Sequence, residues 1–354
     1  MSTRAPNLFE QQEANRERSK WLVAGFIAFF AWVGFGGDVA FLLLTRNTGG
    51  YQHSFPIIGI VTTLVAGGIC WYSWRRGAER VLWATGAWEI VDAATPEHRQ
   101  YVNVVEEMAI ASGLPRPRIW VVPDDDPNAF ATGRGPEDAS VAVTEGLLRV
   151  LSRDELQGVV AHEMAHIRNL DTRLLTLLAA MVGAIALMSD GMGRMMGRGG
   201  RLAGGSARSG RGGKGGGNPL GLVVLVLWLL TLIVAPIVSR LLAMSVSRKR
   251  EFLADATGAQ FTRNPDALAS ALEKLAAAHA PTRAITRGAA HLCIVDPMHS
   301  AVNAREGFVG DLLASHPPIR QRIARLRQMA FQAEPKTAAA AAVTLPGSQG
   351  MAIP

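Results

Sequence analysis

Two histidines four residues apart, His162 and His166, enclose Glu163 in the pattern His-Glu-x-x-His. On a helix, residues i and i+4 lie on one face, so both imidazoles can bind the same metal ion. Glu163 would lie beside that ion, where its carboxylate can take a proton from a bound water. The motif predicts a metal-dependent hydrolytic site. The alternative is that both histidines are ordinary helix residues.

A third ligand must come from elsewhere in the chain, because a catalytic zinc usually has three protein ligands and one water. Glu251 is the candidate, and Asp255 follows it at i+4 on the same helical face. Asp255 could hydrogen-bond the second nitrogen of a zinc-bound histidine and so orient the ring. The alternative for Glu251 is a solvated ion pair with its basic neighbours at 248–250, and the residues alone leave both open.

The oxyanion that develops during hydrolysis needs a hydrogen-bond donor besides the metal. His316 is the candidate, and Arg320 is the less favoured one. The alternative for His316 is that it only helps to begin a helix before Pro317.

The composition predicts membrane segments. Of the 354 residues 49% are hydrophobic, which is high for a soluble enzyme. Residues 21–44 and 55–74 are apolar and long enough to span a bilayer, and residues 174–190 and 220–238 form two further apolar runs, of which the first is short. The net charge of +7 could indicate nucleic acid. Membrane topology is the better explanation, because much of the basic charge flanks apolar stretches. The only cysteines, Cys70 and Cys293, argue against a disulfide framework.

The charges at the ends of the apolar runs predict the orientation. Basic residues precede the first run and follow the second, whereas the short loop between them has only Arg46. The N-terminal segment 1–20 and everything after Arg75 are therefore expected in the cytoplasm. The Gly/Arg-rich segment 191–218 conflicts with this rule if the last two runs both cross, so either they dip in without crossing or this loop is an exception. Asp38, inside the first run, is either a functional carboxylate or, as we favour, an interfacial residue.

The remaining chain predicts one catalytic domain in two parts, 75–173 and 239–332, followed by a disordered tail at 333–354. A helix is expected at 96–112, strands at 118–122 and 140–144, and a turn with a possible short strand between them. Ser152 and Glu155 form a capping box that begins the helix carrying His162. Asn264 is expected to cap another helix. The fold class is mainly α with a small β-sheet, plus transmembrane helices.

Four motifs together resemble the HtpX-type membrane metalloproteases, gluzincins related to the type I CAAX prenyl proteases. They are His162–His166, Asn128-Ala129-Phe130, Arg250–Asp255 and His316-Pro317-Pro318. The resemblance covers roughly residues 20–330, and the motifs occur in the family's order. It implies an α+β zincin-like catalytic domain, Zn²⁺ held by His162, His166 and Glu251, Glu163 as the catalytic base, and support for His316. It also implies that Asn128, Ala129 and Phe130 form a substrate-binding edge, where an extended peptide adds as a strand.

The implied function is quality control in the inner membrane of a bacterium, by cleavage of damaged or misfolded membrane proteins. The expected partners are these substrates and the lipid bilayer, without nucleic acid; the oligomeric state and the use of another divalent metal stay open. The longer N-terminal extension and the loop at 191–218 depart from the family pattern and leave topology and substrate access open. One alternative is a processing protease of narrow specificity. Another is a membrane scaffold without proteolytic activity, and a nucleic-acid binder is weaker because the chain lacks a recognition motif.

Overall fold

The computed structural model describes residues 8–45, 55–178, 248–278, 292–295 and 317–333. The predicted apolar run at 220–238, the loop at 191–218, the tail beyond residue 333, most of the run at 174–190 and His316 lie outside these residues. The described helices are α1 (Leu8–Thr45), α2 (Ile57–Ala84), α3 (Pro96–Ser112), α4 (Glu145–Val150), α5 (Arg153–Arg168), α6 (Arg248–Thr262), α7 (Pro265–Ala277) and α8 (Ile319–Ala333). The strands are β1 (Trp88–Glu89), β2 (Arg118–Val122), β3 (Ala129–Thr132) and β4 (Ser140–Thr144).

Helices α1 and α2 are long and apolar enough to cross a membrane. They pack closely where Gly34 faces Gly59, since a Cβ atom on Gly34 would lie 2.7 Å from the Gly59 Cα atom. The buried carboxylate of Asp38 accepts hydrogen bonds from the backbone N–H groups of Ile58 (3.2 Å) and Gly59 (2.6 Å). Asp38 therefore caps the first turn of α2 from the neighbouring helix, which gives this intramembrane carboxylate a structural role.

The four strands form one mixed sheet in the order β1-β2-β4-β3. Strands β2 and β4 are parallel, with Val121 opposite Val143, whereas β1 and β3 are antiparallel to their neighbours. The predicted strands at 118–122 and 140–144 are confirmed, and the possible strand after the turn is β3. β3 lies at one edge of the sheet, and this position brings it beside the helix that carries the histidines.

Local capping explains where the helices begin. The Ser152 side chain accepts from the Glu155 N–H while the Glu155 carboxylate accepts from the Ser152 N–H, as the capping box predicts. The Asn264 side chain caps α7 by accepting from the Ala267 N–H, and the predicted helix at 96–112 is confirmed as α3. Between α5 and α7 a Cβ atom on Gly158 would lie 2.9 Å from the Leu268 backbone nitrogen, so glycine is what allows the two helices to come this close.

The hydrophobic core lies on both faces of the sheet. On one face, buried residues of α3, α5 and α7 pack against inward-facing valines and alanines of the strands. On the other face, Val81 and Leu82 at the end of α2 pack against Trp120, Val122 and Phe130. The end of a candidate membrane helix is thus part of the core that supports the sheet. The fold class predicted from the sequence, mainly α with a small β-sheet plus membrane helices, is confirmed.

Candidate metal centre

The two helices α5 and α6 bring together the three side chains that the sequence predicts as metal ligands. His162 and His166 lie one turn apart on α5, with their Nε2 atoms separated by 3.1 Å. Glu251, in the first turn of α6, places its Oε2 atom 3.6 Å from Nε2 of His162 and its Oε1 atom 3.6 Å from Nε2 of His166. All three side chains are buried, and one ligand atom from each lies within 4.8 Å of the others.

The close approach of α6 to α5 depends on Gly258. A Cβ atom at this position would lie 3.0 Å from the backbone nitrogen of His162, which is closer than side chains normally pack. Glu251 and Asp255 are on the same helix as Gly258, so the absence of a side chain there allows both carboxylates to reach the histidines.

The distances between the potential ligands fit a tetrahedral ion. Zinc bonds of about 2.1 Å in a tetrahedron separate the ligand atoms by roughly 3.4 Å, and the observed separations are 3.1 to 3.6 Å. The Oε1 atom of Glu163 is buried and has no hydrogen-bond partner in the described part of the chain, which leaves an acceptor for a water beside the ion.

The buried charges also fit a divalent cation. Four carboxylates are buried in this region against two guanidinium groups: Glu163, Asp171, Glu251 and Asp255 against Arg250 and Arg322. With neutral histidines the surplus is two negative charges. Because uncompensated charge is costly in a protein interior, a divalent ion would balance this cluster.

Each histidine has a carboxylate behind it. The Asp255 Oδ1 atom lies 3.0 Å from Nδ1 of His162, as the helical spacing predicts. The Asp171 Oδ2 atom lies 3.1 Å from Nδ1 of His166. Both contacts use Nδ1 and so assign Nε2 as the potential ligand atom, although Arg322 Nη2 also lies 3.4 Å from Nε2 of His162. Asp171 is a residue that the sequence analysis missed; it follows the end of α5 after Leu170, whose positive φ of 59° turns the chain back toward the helix.

Arg322 of α8 is the second functional residue that the sequence analysis missed. Its fully buried guanidinium donates two hydrogen bonds to Asp255, of 2.9 Å and 2.7 Å. Its Nη1 atom also lies 3.1 Å from Glu251 Oε2 and donates to the Ile294 carbonyl oxygen. Arg320, the less favoured oxyanion donor, is exposed on the same helix. An arginine in an Arg-rich helix is expected to be solvated. The apolar residues near position 322 on the same helix are the signal that could have indicated its burial.

The buried environment shifts the pKa values of Glu163, His162 and His166, and the shift of Glu163 is in the direction that suits proton transfer. Burial raises the pKa of Glu163 from 4.5 to about 7, and the charge of Glu251 adds to this effect. Burial alone would lower the pKa of His166, but the hydrogen bond that its Nδ1–H donates to Asp171 and the charge of Glu251 raise it to about 9. The pKa of His162 is lowered by burial. A carboxyl group with a pKa near neutrality can both accept and release a proton in one reaction cycle.

The predicted substrate edge at Asn128–Phe130 lies beside the metal cluster and is already paired. The Ala129 carbonyl oxygen accepts from the Ile294 N–H (2.9 Å), and Phe130 forms an antiparallel bridge with Cys293. The Asn128 side chain donates to the Val295 carbonyl oxygen. One residue further along β3, the backbone N–H of Ala131 hydrogen-bonds the Glu163 carboxylate. The outer edge of β3 is thus occupied by residues 292–295 of the same chain.

A helix with the His-Glu-x-x-His motif, a carboxylate from a second helix as the third potential ligand, and two candidate membrane helices form the arrangement expected of a membrane metalloprotease. Comparison with known families matches residues 96–330 to the model described as Peptidase family M48, and the chain belongs to this family. The resemblance to the HtpX-type metalloproteases is therefore confirmed.

Among similar proteins, the protease HtpX homolog of Streptococcus gordonii is 38% identical over 322 residues, which cover 91% of this chain and 100% of the relative. The protease HtpX homolog of Caldanaerobacter subterraneus is 42% identical over 261 residues, covering 73% and 80%. Among solved structures, the crystal structure of S. mikatae Ste24p aligns with a TM-score of 0.44 and 15% identity, over 86% of this chain and 66% of that one.

Proposed function

We propose that this protein is a zinc-dependent endopeptidase that cleaves damaged or misfolded membrane proteins on the cytoplasmic side of a bacterial inner membrane. The observation that carries the proposal is the buried cluster of His162, His166 and Glu251 around the free carboxylate oxygen of Glu163. The end of the candidate membrane helix α2 packs in the core of the same domain, which would keep the site near the membrane and favours membrane proteins as substrates.

His162, His166 and Glu251 would hold the zinc ion through Nε2, Nε2 and a carboxylate oxygen. Zinc bound there lowers the pKa of water and polarises the scissile carbonyl group. Asp255 and Asp171 would each accept from the Nδ1–H of one histidine, which would leave both Nε2 atoms as the ligand atoms. Arg322 contacts both Asp255 and Glu251 and holds the two carboxylates in place.

Glu163 is the proposed general base. Its carboxylate is oriented by the Ala131 N–H, and its Oε1 atom is available to accept the proton of the attacking water. The same carboxyl group then delivers the proton to the leaving amine. His316 remains the proposed donor to the developing oxyanion, on the strength of the family resemblance.

Asn128, Ala129 and Phe130 would bind an extended peptide through its backbone, which gives broad sequence tolerance. Because residues 292–295 hold this edge, the incoming peptide must replace their hydrogen bonds. A folded segment cannot do so, since its own N–H and C=O groups are already paired. This requirement favours unfolded substrates.

The orientation is supported by contacts at the start of α1. Gln12 donates to the Arg168 carbonyl oxygen, and Asn15 contacts Asn169 and Asp171, so the polar start of α1 lies on the same side of the membrane as the catalytic helices. Together with the basic residues around both apolar runs, this favours the cytoplasm. Two to four membrane helices in total are consistent with this arrangement.

The test is cleavage of an unfolded membrane protein by the purified, detergent-solubilised chain. Wild type is expected to cut with zinc and to stop with a chelator, whereas Glu163→Gln is expected to bind zinc and not to cut. Asp154→Asn, an exposed change on the same helix, is the matched control and should cut like wild type. Glu251→Ala should weaken zinc binding.

Cleavage by Glu163→Gln at the wild-type rate would refute its role as base. If neither protein cuts although both bind zinc, the scaffold alternative gains support. A single cut in one protein, rather than many cuts in unfolded membrane proteins, would favour the narrow processing protease.

A further inference from the structure

The polar start of α1 is docked against the turn that follows the metal-binding helix. The Asn15 Nδ2 atom donates to the Asn169 carbonyl oxygen (2.9 Å) and to Asp171 Oδ1 (2.8 Å). One turn earlier, Gln12 donates to the Arg168 carbonyl oxygen (2.7 Å). Asn15 is 4% exposed although it belongs to a strongly polar stretch of sequence. Because the Asn15 amide is buried and bonded to two groups of the catalytic domain, it takes part in the contact between α1 and that domain.

The two oxygens of Asp171 connect α1 to a metal ligand. Oδ1 accepts from Asn15, and Oδ2 contacts Nδ1 of His166. The Arg250 guanidinium is also near Oδ1, with its Nη1 atom 3.8 Å away, so the contact from Asn15 is shorter. The hydrogen bond from Asn15 to Oδ1 is short, at 2.8 Å, and it restrains the direction in which the Asp171 carboxylate faces.

The orientation of this carboxylate matters for the ligand. An imidazole that binds a metal through Nε2 is held in its tautomer and ring plane by the group that accepts from Nδ1. If Asp171 rotates about its side-chain bonds, the acceptor leaves the plane of the His166 ring. A donor that holds Oδ1 therefore also holds His166, through Asp171.

We propose that Asn15 is a positioning residue for the metal centre, and that it links the first membrane helix to the ligand His166 through Asp171. This inference rests on the proposed metal site. A purely structural role for Asn15 would be to dock α1, and Gln12 shares that role without a hydrogen bond to Asp171. The two roles predict different effects on metal binding.

The test uses the full chain in detergent and two readouts besides proteolysis: zinc affinity by competition with a chromophoric chelator, and the visible absorption spectrum of the Co²⁺-loaded protein. Asn15→Asp keeps the shape of the side chain but places an acceptor against Asp171. It is expected to lower zinc affinity about tenfold, the lower end of the range for residues behind a ligand, and to change the Co²⁺ spectrum. Gln12→Ala is the matched control, with zinc affinity within about twofold of wild type.

A double-mutant cycle shows whether Asn15 acts through Asp171. In an Asp171→Ala background the loss of affinity caused by Asn15→Asp should shrink to about twofold or less, because the intermediate group is gone. If Asn15→Asp does not fold, Asn15→Ala supplies the same readouts.

Three results would overturn the inference: wild-type zinc affinity and spectrum in the Asn15 variants, an undiminished loss in the Asp171→Ala background, or an equal loss in Gln12→Ala. Failure of the metal site itself is distinguishable. In that case wild type would bind no zinc, or His166→Ala would bind it as tightly as wild type, and both proposals would fall together.

Discussion

Glu155 ties the start of the metal-binding helix to α7, and its ionisation should make this junction sensitive to acid. Its carboxylate accepts from the Ser152 N–H (2.7 Å), the Ser270 hydroxyl (2.6 Å) and the Lys274 ammonium (2.7 Å). Burial alone would raise the pKa of Glu155, but these three donors outweigh it and lower the pKa from 4.5 to about 2.

The magnitude follows from this difference. A pKa difference of about 2.5 corresponds to about 3 kcal/mol at 1.36 kcal/mol per pKa unit. Because Lys274 is 42% exposed, solvent screens part of the interaction, and we expect about 2 kcal/mol. The folded-state pKa is depressed, so the contribution is complete above pH 4.5 and is lost as the pH falls toward 2.

The assay is urea unfolding of the detergent-solubilised chain, wild type against Glu155→Gln, at several pH values. At pH 7 the variant should be less stable by about 2 kcal/mol, and at pH 3 roughly half of this difference should remain. Asp154→Asn, exposed and adjacent, controls for general acid effects. An equal difference between wild type and Glu155→Gln at pH 7 and pH 3 would show that the carboxylate charge has no part in stabilising the junction.

Three further changes test the contacts between helices, two at the metal site and one between α1 and α2. Gly258→Ala places a methyl group 3.0 Å from the His162 backbone, so it should push α6 away and weaken zinc binding about tenfold; chelator competition at wild-type affinity would refute this. Arg322→Met leaves Asp255 without its buried partner and should lower the unfolding free energy of the metal-free protein by about 3–5 kcal/mol, whereas a urea midpoint equal to that of wild type would contradict the reasoning. Asp38→Ala removes the cap of α2 and should cost about 1–2 kcal/mol, measured by thermal unfolding in detergent, with an unchanged transition arguing against the cap.

The parts of the molecule that the sequence predicts well depend on short-range rules. The capping box at Ser152 lies within one turn of chain, and the spacing of His162 and His166 is the repeat of a helix, so both could be derived from neighbouring residues alone. The strands followed from their β-branched and apolar residues between turns.

The missed residues depend on contacts between distant segments. Arg322 meets Asp255 across 67 positions, and Asn15 meets Asp171 across 156. Nothing in the local pattern of a basic helix or a polar N-terminal segment distinguishes a buried donor from a solvated one. The pairing of residues 292–295 with β3 was missed for the same reason, because Asn128 meets Val295 across 167 positions.

The uninterrupted α1 helix also sets the distance between the docking point at Asn15 and the start of the apolar stretch at Trp21. Asn15 lies six residues before Trp21, where the apolar stretch begins, and a rise of 1.5 Å per residue separates them by about 9 Å along the axis. If the substrates are membrane proteins, as proposed, and the bilayer begins near Trp21, a substrate chain would have to extend by about three residues, at roughly 3.3 Å each, to reach the level of Asn15. The length of α1 between Asn15 and Trp21 would then select substrates by how far their chains project from the membrane. It would exclude chains that end flush with the membrane and admit those with a projecting strand, whatever their sequence.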